Sequence, residues 1–141
     1  MIIFIFLYDM IDEFQNEIYP VSLFVYKLKD GENEVEVLSN RFKVFHTDCK
    51  TEHIFEPIEE YTNAYTCFVI DKETSRRGPL IIAREDVHNY IICHECIHAV
   101  DIYYKLLGII AQDYEDTNEP YAYLAGYIFK SVELVLKGEN I

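Results

Sequence analysis

The sequence predicts an α+β fold, with strands in the first half and helices in the second, and two observations carry that reading. Up to Arg84, apolar residues come in short runs or alternate with polar ones, and turn-forming clusters separate the runs. From Glu85 onward they recur at helical spacing instead, through Val87, Ile91, Ile92, Cys96, Val100, Tyr103 and Leu107. The expected architecture is a small, mainly antiparallel N-terminal sheet packed on a central helix and a C-terminal helix.

Each element has its own signal. "IIFIFLY" (Ile2–Tyr8) is a continuous apolar run suited to a buried central strand. It is too short to span a bilayer and lacks the basic start and small-residue cleavage site of a secretory signal. "VSLFVYKL" (Val21–Leu28) alternates, and "KDGENE" (Lys29–Glu34) supplies turn chemistry for a hairpin into "VEVL" (Val35–Leu38). "AYTCFVID" (Ala64–Asp71) and "GPLIIAR" (Gly78–Arg84) read as a second hairpin around the polar "KETSRRG". The stretch between the hairpins, Ser39 to Asn63, reads mostly as loop. The first helix is expected from Glu85 or Asp86, with Asp86 as N-cap, and Gly108 as its stop. The acidic "IIAQDYEDT" then leads to a second helix from about Asn118 to Lys137. Pro120 sits in its first turn, where a missing N–H does no harm, and Gly138 lies just past its end. No repeat, low-complexity segment or flexible linker divides the chain, so residues 1–141 read as one domain.

Composition excludes some functions. Of the 141 residues, 50% are hydrophobic and 26% charged, an ordinary globular balance. Lys and Arg number 12 against 25 Asp and Glu, a formal charge of −13. A nucleic-acid backbone needs clustered Lys and Arg, so no nucleic-acid partner is expected, and no membrane partner either. The acids form no long run, so solubility accounts for them more simply than mimicry of a phosphate backbone. Cys49, Cys67, Cys93 and Cys96, in a chain with no export signal, point to a reduced, cytoplasmic protein.

The chemistry concentrates in "NYIICHECIHAV", Asn89 to Val100, where H-E-x-x-H and C-x-x-C interleave. A helix advances about 100° per residue, so His94 and His98 project together, one turn apart, and both imidazoles can reach one tetrahedral metal. Glu95 flanks them, placed to act on a metal-bound water. Cys96 points roughly opposite His94, in line with Ile92 and Val100, and reads as a small core residue. A redox C-x-x-C opens a helix, whereas Cys93 and Cys96 sit about two turns inside one. The metal reading therefore outweighs the redox reading; its bland rival is a polar helix face with two solvated histidines.

A zinc site needs a third protein ligand and an open position for water. His46, His53 and His88 qualify by type, although His88 points away from His94. Glu119, in "DTNEPYAYLAGYIF" at the start of the last helix, is the better candidate, with Asp116 and Glu115 as runners-up. "HECIHAVDIYYKLLGI" followed by "NEPYAYLAGYI" resembles the gluzincin branch of zinc metallopeptidases. More narrowly it resembles small H-E-x-x-H proteins encoded by phages and prophages, which share a Gly about ten residues on and then E-P-x-A-Y-L-x-G. Their N-terminal "IYP…" strand is similar to "IYPVSLFVY" here. The resemblance is tight over Cys93–Ile128 and loose before it.

That resemblance implies a zincin-like fold with Zn2+ held by His94, His98 and Glu119, and Glu95 as general base in hydrolysis of a peptide or protein substrate. Many gluzincins carry E-x-x-x-D on the third-ligand helix, but here that position is Tyr123. A ligating imidazole usually donates its other N–H to an acceptor, and Asp101, which projects near the His94 face, is the expected orienting group. Tyr123, one turn beyond Glu119, is a candidate for stabilising the tetrahedral intermediate, against the simpler reading of a buried aromatic. Ala122, Ala125 and Gly126 make one side of the last helix small, so the two helices are expected to approach closely. By analogy with gluzincins, Gly78–Arg84 is expected to rim the cleft and pair with an extended peptide. Arg76, Arg77 and Arg84 would meet an acidic substrate or simply offset an acidic surface. Two rival functions remain: a non-catalytic binding or inhibitor protein, phage-encoded and contacting a host protein through its acidic surface, and a hydrolase of a non-peptide amide. Oligomeric state is not legible.

Overall fold

The computed structural model describes residues 11–16, 18–29, 33–109 and 119–138. The expected strand Ile2–Tyr8 lies outside them, as do Glu115 and Asp116. In chain order the elements are β1 (Ile11–Gln15), β2 (Ser22–Leu28), α1 (Glu34–Arg41), β3 (Phe42–Phe45), β4 (Glu52–His53), β5 (Ala64–Asp71), β6 (Arg77–Arg84), α2 (Asn89–Leu107) and α3 (Glu119–Lys137). The fold is α+β, as the change of hydrophobic period predicts.

The strands form a six-stranded sheet in the order β1-β2-β6-β5-β3-β4. β2 and β6 run parallel, with Phe24 opposite Leu80 and Tyr26 opposite Ile82. The other pairings are antiparallel. Alternation divides the core between the two faces of the sheet. Leu23, Val25, Ile81 and Ala83 pack with Ile92, Cys96, Val100 and Tyr103 of α2 and Leu124, Ile128 and Val132 of α3. Phe24, Tyr26, Leu80 and Ile82 turn the other way, onto Leu38 of α1 and Phe42, Val44 and Phe55. β2 and β6 are therefore buried on both faces, which is why "LFVY" and "LII" are unbroken apolar runs.

Three expectations need correction. "VEVL" is part of α1 and not a strand. Asn33 caps that helix, accepting from the Glu36 N–H at 3.2 Å while its amide donates to the Glu36 carboxylate at 3.3 Å. This reciprocal N-x-x-E cap, with Glu34 and Glu36 in the positive first turn, outweighs the β preference of Val35 and Val37. The second correction concerns β6. It is paired on both sides, by β2 and β5, so it offers no free edge to an extended peptide. The third is small: α2 is preceded by His88, not Asp86, as its N-cap residue, in extended conformation with no side-chain cap bond. The other ends follow the sequence. Gly108 and Gly138 both take positive φ, 68° and 63°, just past α2 and α3. The region expected to be mostly loop contains β3 and the two-residue β4, and β1 was not foreseen.

Tyr103 lies wholly buried where α2 meets the sheet, and its hydroxyl has no hydrogen-bond partner among the described residues. Tyr103→Phe is therefore expected to raise stability, by up to about 1–3 kcal/mol, because it removes a desolvated and unpaired hydroxyl while keeping the ring. Thermal unfolding reads this directly, and a fall in Tm would show that the hydroxyl is satisfied.

Candidate metal centre

Helix α2 runs under the sheet with one face buried and the other open. Ile92, Glu95, Cys96, Ala99, Val100, Ile102 and Tyr103 face inward. His94, His98, Asp101 and Lys105 form an exposed stripe at the expected i, i+4, i+7, i+11 spacing. The two imidazoles meet on that stripe. Nε2 of His94 and Nε2 of His98 are 3.2 Å apart, with rings edge to face. Two zinc–nitrogen bonds of about 2.0–2.1 Å, meeting at about 100–110°, leave about 3.1–3.4 Å between the nitrogens. The pair therefore fits two corners of one tetrahedral ion. The same separation also suits a single N–H shared between the rings.

Glu95 is turned away from that stripe and into the protein, with 7% of its surface exposed. The Thr66 hydroxyl on β5 donates to Glu95 Oε1 at 2.8 Å and also approaches the Glu95 carbonyl at 3.3 Å. Sequence reasoning did not single out Thr66. The signal was its hydroxyl within "AYTCFVI", on the side of β5 opposite Cys67 and Val69, hence facing α2.

Asp101 is engaged elsewhere than expected. It accepts from the Tyr121 hydroxyl of α3 at 2.9 Å, a tie between the two helices. Burial, and then the bond to Asp101 with its charge, push the Tyr121 phenol up to about 12, so it remains a donor at neutral pH. Tyr121 also meets Tyr104 edge to face, with centroids 5.3 Å apart. Asp101 thus helps dock α3 on α2, and its partner is a phenol, not an imidazole.

Helix α3 buries Leu124, Ile128, Ser131, Val132 and Leu136. Glu119, Ala122, Tyr123 and Gly126 lie on its opposite, exposed side, and Tyr123 is 75% exposed. Glu119 is about 180° around the helix from Ile128, so the apolar stripe already placed it on the solvent side. Tyr123 is not the buried aromatic of the simpler reading. Nor does Gly126 bring the helices together, because a Cβ built there meets nothing within 4 Å. Among the described residues, no group of three or more His, Cys, Asp and Glu could hold a metal ion. The structure brings His94 and His98 together and does not add Glu119 to them.

His46, His53 and His88 make their contacts elsewhere. His46 and His53 lie against each other at a tilt in the β3–β4 hairpin, centroids 4.4 Å apart, and His88 stacks on Tyr90. Lys105 fastens that hairpin to α2 by donating to the Thr47 carbonyl at 2.9 Å. The cysteines are free thiols. Burial, then the neighbouring Cys93 and Glu95, push the Cys96 thiol up to about 12, in keeping with a core residue and not a redox pair. Of the arginines weighed for an acidic substrate, Arg76 is bound to Glu13, and Arg84 donates to the Thr62 carbonyl at 3.0 Å. No helix among the described residues is long and apolar enough to cross a membrane. In comparisons with known proteins, the chain matches no family model, no curated protein and no solved structure.

Proposed function

We propose that the chain is a small zinc-dependent peptidase centred on His94, His98 and Glu95. The observation that carries the reading is the 3.2 Å separation of the two Nε2 atoms, which matches two ligands of one tetrahedral ion. A divalent ion held there would supply Lewis acidity and lower the pKa of a bound water towards about 7. Glu95 is the base of this reading. Thr66 donates to its Oε1, so this role requires the carboxylate to turn from Thr66 toward the histidine pair before it can accept a proton there. Glu119 is the proposed third ligand, with Glu115 and Asp116 as alternatives. Tyr123, exposed near the start of α3, is proposed to meet substrate rather than to support the core.

The test combines zinc retention, read by chelator titration, with hydrolysis of an unstructured protein substrate. His94→Ala and His98→Ala are expected to lose both. Glu95→Gln should keep zinc and lose at least about a hundredfold in turnover. Unchanged turnover there would remove Glu95 as the base, and Glu119→Ala with undiminished zinc retention would pass the third position to another residue. A second reading, a non-catalytic binding protein on the same scaffold, is favoured by the Thr66 bond to Glu95 and by the solvent-facing side of α3 that carries Glu119. Zinc binding in the wild type without hydrolysis would select it.

A further inference from the structure

The His94–His98 pair would supply two of the four ligands that a tetrahedral ion takes, and it lies on an open helix face. Tyr90 and Ile97 flank it within about 80° on that face, and they are 72% and 44% exposed. Large apolar side chains left in water beside an incomplete ligand set suggest that something covers both. We propose that a second copy of this chain does so, one divalent ion bridging His94 and His98 of each copy across a twofold axis. The proposal rests on the proposed function for the metal at this pair, but does not require turnover.

The geometry follows from the tetrahedron. Its corners are two opposite edges at right angles, each about 3.1–3.4 Å long for zinc with nitrogen ligands. The 3.2 Å separation within one chain is such an edge, and the same pair on a second chain supplies the other. A C2 contact is self-complementary, so a single helix face serves both partners. Side chains at i and i+4 stack along a helix axis, so perpendicular edges make the two α2 helices cross steeply. A steep crossing leaves contact only near the pair, chiefly Tyr90 and Ile97. So small an interface cannot hold two chains by itself, least of all chains of formal charge −13. The dimer is therefore expected to need the metal, and to strengthen with moderate salt as repulsion is screened. Four imidazoles fill a tetrahedral ion, so the bridged form is closed, and dilution to single chains frees coordination positions for water.

The experiment uses the full chain, with zinc alone as the probe. Light scattering gives the mass and equilibrium dialysis the metal-to-chain ratio. A monomer in chelator, a doubled mass in zinc and one ion per two chains are expected, with both effects lost in His94→Ala. Ile97→Glu should keep zinc binding but weaken the dimer about tenfold or more, and circular dichroism checks that each variant is folded. One ion per chain in a monomer would overturn the bridge and leave the proposed function standing. No zinc binding would overturn both. A doubled mass that persists in chelator would overturn the metal's part in assembly.

Discussion

Gly78→Ala is expected to cost more stability than any surface change in this chain, enough to prevent recovery of folded protein. Gly78 opens the inner part of β6, directly beside the start of β2. A Cβ there would lie 1.7 Å from the Ser22 carbonyl oxygen and 2.8 Å from its carbon. Both are backbone atoms, held by the pairing of β2 with β1 on one side and β6 on the other. Overpacked side chains typically cost about 1–3 kcal/mol because they can rotate away. Here the parallel pairing itself must open, so the loss should exceed that range and take a large share of the ~5–15 kcal/mol that holds a domain together. Soluble yield and thermal unfolding are the readouts. A variant with wild-type Tm would mean that β2 and β6 are not so closely apposed.

Glu13→Gln should be the second most damaging change, and the more informative about acid. Glu13 on β1 is gripped by Arg76 through Nε at 2.5 Å and an Nη at 2.8 Å, and by the Ser22 hydroxyl at 2.9 Å. Arg41, at the end of α1, approaches Glu13 at 3.7 Å and Asp71 of β5 at 3.3 Å. β1, α1, β5 and the turn before β6 thus meet through two carboxylates and two guanidinium groups. Breaking a buried pair costs about 3–5 kcal/mol. The lower end is expected because Arg76 is 38% exposed. Burial alone would raise the Glu13 pKa, but the bonds from Arg76, Ser22 and Gln15, with the charge of Arg76, hold it below the ordinary 4.5. A depressed folded-state pKa means that the unfolded chain takes up the proton first as pH falls. The contribution of Glu13 is therefore complete above about pH 4.5 and is lost as pH falls through its lowered value. Urea titrations between pH 7 and 3 should show a shallower acid slope in Glu13→Gln. An unaltered slope would assign acid sensitivity to other carboxylates, such as Asp48, which bonds from Thr51 and Lys50 hold at about 2.

Local signals were legible where chemistry and period agreed. The β5–β6 hairpin, the C-terminal stops of α2 and α3, and the shared face of His94 and His98 all follow from residue spacing or from glycines that can take positive φ. The Val-rich α1 was misread because β-branched residues carry β propensity, while the Asn33–Glu36 cap acts through side-chain bonds that no propensity scale contains. Strand order was not legible, since hydrophobic runs say that β2 and β6 are buried on both faces but not which strands flank them. Helical angles alone could have placed Glu119 opposite Ile128.

The central parallel pairing also governs the order of assembly. β2 leaves the ribosome before its neighbour β6, which follows only after α1, β3, β4 and β5 have been made. Closing that long loop costs chain entropy before any contact repays it, so joining β2 to β6 is expected to come late in folding. Until then a two-faced apolar ribbon, Leu23 to Tyr26, has one bare flank and can be captured by the same segment of another nascent copy. Slowed synthesis or a holding chaperone is therefore expected to raise the yield of folded chain.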